Sequence, residues 1–155
     1  MTAPRVLRME GTDRSGVIAA MADLAAAESG WVDITPDDVD PPAPTSVWGR
    51  ISGRGPSVPR ITWTAPHRNR SRLSPAELGI EHPAGTKSLE RLAGEGQELP
   101  PGWRRLQDHP MRGLVVQPPA GAAHDDVLAW ALQAAHLLTG WPLEGPWRVQ
   151  IFEGR

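Results

Sequence analysis

The sequence predicts an α+β domain: a two-layer sandwich, ferredoxin-like or related, in which two β-α-β units flank a central hairpin. Three observations point to it. The N-terminal third runs strand, helix, strand; the C-terminal third repeats that order without residue-level similarity; between them lie two strand-like runs joined by turn residues.

Arg5 to Glu10 alternates, with Leu7 and Met9 on one face and Arg8 and Glu10 on the other, as a half-buried strand does. Gly11-Thr12-Asp13 supplies turn and N-cap chemistry, and Val17, Ile18, Met21, Leu24 and Ala25 then recur at helical spacing. Gly30 closes that helix, and Trp31 to Ile34 reads as the second strand. Residues 36–46 are too rich in proline for regular structure and form a connection. Val47 to Ser52 and Arg60 to Thr64 make the central hairpin, with Val47, Ile51, Ile61 and Trp63 inward and Trp48, Arg50, Arg60 and Thr62 outward; Pro59 argues for an edge position. Residues 65–73 read as an arginine-rich loop.

Ser74-Pro75-Ala76-Glu77 has the residues of a helix start, ended soon after by Gly79. A second short helix is expected over Thr86 to Ala93, and a strand over Trp103 to Leu106. The C-terminal unit is the clearest: a buried strand over Leu114 to Gln117, a helix over Asp125 to Leu138 and a strand over Trp147 to Phe152. In that helix Asp125, Ala129, Gln133 and His136 form the polar stripe.

A chain of 155 residues fits one domain with a real core, here taken as 1–155. It has no cysteine, which excludes disulfides and thiol catalysis. No signal-like apolar core or membrane-length apolar run is seen, so a soluble, cytoplasmic protein is expected, without membrane contact. The net charge of −2 conceals a pattern: residues 1–40 carry −5, residues 41–76 carry six arginines and no acid, and residues 77–155 carry −3.

The arginine-rich middle is the leading candidate surface. Trp48, Arg50, Arg60, Arg68, Arg70 and Arg72 would meet an acidic partner protein or a second copy of the chain, since guanidinium groups grip carboxylates in a bidentate manner and Trp and Arg dominate binding energy at interfaces. The same arginines equally suit pairing with acids of their own chain. Nucleic acid is a third reading, weakened by the acidic ends. Of the seven tryptophans, Trp31, Trp63, Trp130 and Trp147 are expected in the core, and Trp48, Trp103 and Trp141 are the candidates for exposure.

The stretch from Val6 to Ala20 contains Gly11, Asp13, Arg14 and Gly16 in a Gly-x-Asp-Arg-x-Gly turn, with Val32-Asp33-Ile34 following as a strand. This resembles the opening of ACT domains, βαββαβ regulatory modules that bind amino acids at dimer interfaces. Ser15 stands where that family usually has proline, and the likeness covers about 30 residues. It implies a small-molecule-sensing or dimerising role, with Gly11, Asp13, Arg14 and Gly16 holding a ligand carboxylate at a helix N-terminus. Gly85-Thr86-Lys87-Ser88 departs from a phosphate loop because Thr86 separates the glycine from the lysine. The five histidines, His67, His82, His109, His124 and His136, show no ligand spacing. No catalytic residue, metal site or cofactor is expected from these patterns, and the reading leans away from an enzyme.

Overall fold

The computed structural model describes residues 3–11, 13–37 and 58–154. Its elements in chain order are β1 (Arg5–Met9), α1 (Ser15–Ala27), β2 (Trp31–Pro36), β3 (Arg60–Thr64), β4 (His67–Asn69), β5 (Arg72–Ser74), β6 (Glu77–Glu81), α2 (Ser88–Gly94), β7 (Arg104–His109), β8 (Gly113–Gln117), α3 (His124–Thr139) and β9 (Trp147–Phe152). Seven strands form one antiparallel sheet in the order β1-β9-β2-β3-β6-β8-β7, and β4 pairs only with β5 in a separate ribbon.

This corrects the ferredoxin-like expectation: among the described residues the fold is a large antiparallel sheet with three helices and a small two-stranded ribbon. Two physical causes underlie the difference. Glu77-Leu78-Gly79-Ile80-Glu81, expected to leave a helix start, alternates half-buried and buried residues and joins the sheet as β6. Leu78 pairs across to Trp63 on one side and Val116 on the other, so cross-strand burial outweighs the local helix-start signal of Ser74-Pro75-Ala76-Glu77. The closing strand, expected to complete its own unit, instead inserts between β1 and β2, with Val149 opposite both Leu7 and Ile34.

The central hairpin is also revised. Both edges of β3 are occupied, by β2 and β6, so β3 is interior and Pro59 precedes an inner strand rather than an edge. Val47 to Ser52, including Trp48 and Arg50, lies outside the described residues, as does most of the 36–46 connection. Within 65–73, expected as loop, His67–Asn69 and Arg72–Ser74 pair as the ribbon.

One face of the sheet carries the core. Val32, Ile34, Ile61, Trp63, Leu78, Ile80, Leu114, Val116, Trp147, Val149 and Ile151 all lie on it, and α1 and α3 add Val17, Met21, Leu24, Val127, Leu128 and Leu132 to the same cluster. The opposite face is half-exposed; Trp31, expected in the core, lies there stacked on Phe152 at 4.7 Å. Thr62 donates to Asp33 across the β2–β3 pair at 2.7 Å. The outer strands β1 and β7 expose Arg5, Arg8, Arg104 and Arg105, and β7 has a register shift between Arg105 and Gln107, features that discourage edge-to-edge pairing.

Candidate functional site

The ribbon leaves the sheet after β3 and returns into β6, so it stands at the end of the sheet where Thr64 pairs with Glu77. Its register sorts the arginines. Arg68 lies opposite Leu73, and these two share the ribbon's inner face; Asn69 with Arg72, and His67 with Ser74, make the outer face. Arg70 sits in the turn with φ of +60°, a left-handed conformation costly to any side chain other than glycine's.

The sequence-predicted set is therefore divided. Arg68 reaches the C-terminal end of α1, where its Nε donates to Glu28 Oε2 at 2.6 Å and its Nη2 to Oε1 at 3.2 Å. Arg70 and Arg72 are exposed and make no ion pair within 4.0 Å with a described residue. Arg60 is also exposed, but it pairs across to Glu81 at the opposite end of β3 from the ribbon, four residues or roughly 13 Å away at strand rise. Trp48 and Arg50 lie outside the described residues.

Under the ribbon's inner face is a cavity of about 470 Å³. Trp63 from β3 and Val127 from α3 line it with Leu73 of the ribbon, Pro66, Pro75 and Pro118, and Glu28 stands at its edge with Arg68. His124, the first residue of α3, completes the wall, its ring edge-on to Trp63 at 5.5 Å and 76°. Partial burial in these apolar surroundings lowers the His124 pKa, so the neutral ring is favoured. Four histidines have a hydrogen-bonding contact in the fold: His67 with Ala65 O, His82 with Ala84 N, His109 with Met111 N and Arg112 N, and His136 with Trp141 O. His124 has none among the described residues. Sequence reasoning missed this cavity because its walls come from four separated segments, around residues 25–28, 63–66, 73–76 and 118–127. The only local signal was a proline on each of its connections.

A shallower groove lies beyond the β8–α3 connection and shares Pro119 and Ala122 with that cavity. Trp103 and Trp130 meet there at 5.3 Å, and Trp130 Nε1 donates to Glu98 O, fixing one indole as a core anchor; Trp103 and Trp141, expected to be exposed, are half-buried against the core.

The Gly11 to Gly16 turn has used up several of its polar groups. Asp13 Oδ1 accepts from Ser15 N and Oγ, which lowers the Asp13 pKa, and Gly11 N donates to Glu144 O. Arg14 Nε donates to Asp125 Oδ1 at 2.9 Å. A small cavity of about 210 Å³ beside Gly11 and Arg14 is closed on its other side by Gln133 and Leu143.

The structure also assembles a cluster that no sequence spacing indicated. Ser88 Oγ donates to Asp108 Oδ1 at 2.7 Å and Leu89 N to Asp108 Oδ2 at 3.3 Å, tying α2 to β7. His82 is fully buried; its Nδ1 accepts from Ala84 N, leaving the ring proton on Nε2, which has no partner among the described residues. Burial lowers the His82 pKa, the Asp108 charge opposes that, and Arg91 adds to it. Because the Ser88 proton is directed to a carboxylate rather than an imidazole, the trio lacks the hydrogen-bond order of a nucleophilic triad.

Among the described residues no helix is long and apolar enough to cross a membrane, and no group of three or more His, Asp or Glu side chains is placed to hold a metal ion. Comparison with protein-family models, curated proteins and solved structures finds no match for the chain.

Proposed function

We propose that this protein is a non-catalytic binding module whose ribbon engages an acidic protein surface, on a partner or on a second copy of the chain. The observation that carries this reading is the pair Arg70 and Arg72: exposed, without an ion pair to any described residue, and held at the tip and outer face of a ribbon that projects beyond the sheet. A guanidinium donates to two carboxylate oxygens at once, and nearby arginines on a short ribbon raise the local potential even in a chain of net charge −2. Arg68 supports the ribbon through Glu28 rather than meeting the partner. Arg60 contributes only if the partner spans the sheet as well, and Trp48 and Arg50, expected from the sequence to join them, lie outside the described residues.

The test pairs Arg70→Glu/Arg72→Glu with wild type on immobilised poly-glutamate at low ionic strength. Wild type is retained and elutes with salt, while the double variant keeps its circular dichroism and melting temperature and flows through. Equal retention of the two proteins rejects the reading. Retention on duplex DNA but not on poly-glutamate, with affinity falling steeply in salt, transfers the surface to nucleic acid.

A further inference from the structure

We infer that the cavity beneath the ribbon is a binding site for a small, uncharged, planar apolar molecule carrying one hydrogen-bonding group. This goes beyond the acidic-partner surface, which occupies the ribbon's outer face and tip.

Four features of the site define the ligand. A volume of about 470 Å³ falls in the range of roughly 300–1,000 Å³ typical of small-molecule pockets. The walls are flat and stiff: the Trp63 indole and the rings of Pro66, Pro75 and Pro118 have little rotamer freedom to lose, so they favour a planar guest over a branched, flexible one. The polar complement is a single unused imidazole. His124 is the histidine without a hydrogen bond among the described residues, and as a neutral ring it offers one donor and one acceptor toward the cavity it lines. The charged groups at the edge cancel, because Glu28 and Arg68 hold each other through two hydrogen bonds. An anion would have to draw Arg68 away from Glu28, and a cation would have to do the reverse, so a neutral guest meets the least opposition.

Indole serves as the probe, with indole-3-acetate and tryptamine as its anionic and cationic counterparts, measured by titration calorimetry on the full chain. Wild type binds indole saturably and each charged counterpart about tenfold more weakly or less. Leu73→Asp, at an exposed ribbon position on the cavity wall, lowers indole affinity about tenfold or more while lowering the melting temperature by only about a few degrees. His124→Leu keeps the apolar lining and costs about five- to tenfold through the lost hydrogen bond. Absence of saturable indole binding, indole binding untouched by Leu73→Asp, or tighter binding of either charged counterpart overturns the inference. Arg70→Glu/Arg72→Glu leaves indole affinity unchanged, so loss of poly-glutamate retention and loss of indole binding report on separate sites.

Discussion

The seven-stranded sheet and the two-stranded ribbon are both antiparallel and share a chain segment, yet different forces hold them. In the sheet every strand except the edge strand β7 gives side chains to a core where Ile61, Leu114, Trp147 and Val149 have no solvent exposure. In the ribbon every residue from His67 to Leu73 is exposed, and the strands are three residues long. An isolated hairpin of that size is marginal in water. What holds this one is its anchorage in β3 and β6, the Arg68–Glu28 pair and the contact of Leu73 with the cavity wall. Substitutions in the sheet are therefore expected to act on stability, and those in the ribbon, under the proposed function, on binding.

The largest effect expected from this contrast is on Trp147. It is fully buried and its Nε1 donates to Leu143 O at 3.1 Å, so Trp147→Ala removes about 3–5 kcal/mol of stability through the cavity and the lost bond. Leu73→Ala, on a side chain 45% exposed, costs less than about 1 kcal/mol. Urea denaturation of the two variants checks the difference; similar costs would mean that the ribbon is part of the core.

An intermediate effect depends on pH. Burial holds His82 below its ordinary value near 6.5, so the native ring stays neutral while the unfolded chain takes up a proton first. Stability is thus complete above about pH 6.5 and is lost as the pH falls from there toward the lower native pKa. His124 acts in the same direction, with less weight because its ring is partly exposed. His82→Asn retains an acceptor for Ala84 N and removes the buried base, so the fall in melting temperature between neutral and mildly acidic pH becomes shallower. An unchanged slope would place the acid sensitivity elsewhere.

The same contrast explains what the sequence made legible. Segments whose local pattern agrees with their burial were readable: α3 runs from His124 to Thr139 against an expected Asp125 to Leu138, and β9 matches its expected range. In β6 the local and tertiary signals disagreed. The Ser-Pro-Ala-Glu helix start is a statement about a few backbone groups, whereas Leu78 and Ile80 are buried by strands distant in sequence. The position of β9 between β1 and β2 is likewise a long-range choice, and with it went the topology. At the site, the arginine content of the ribbon was plain, but which arginine faces inward depends on the Arg68–Leu73 register. The His124 cavity was hidden because no one segment contains more than a part of it.

The smallest expected change in stability is also the sharpest test of the ribbon's purpose, because it compares two positive-φ positions. At Gly113, with φ of +83°, an added Cβ would sit 2.3 Å from Ile80 O, so only glycine fits where β8 begins beside β6. Gly113→Ala is therefore destabilising, through both the clash and the backbone conformation. At Arg70 the backbone is also left-handed, yet the residue is a large cation with no described ion pair to compensate. Arg70→Gly relieves about 1 kcal/mol of backbone cost and gives back a similar amount as unfolded-chain entropy, so the melting temperature stays nearly constant. Retention on poly-glutamate falls all the same. If Arg70→Gly raises stability without weakening retention, the tip is a strained turn and the binding surface lies on Arg72 alone.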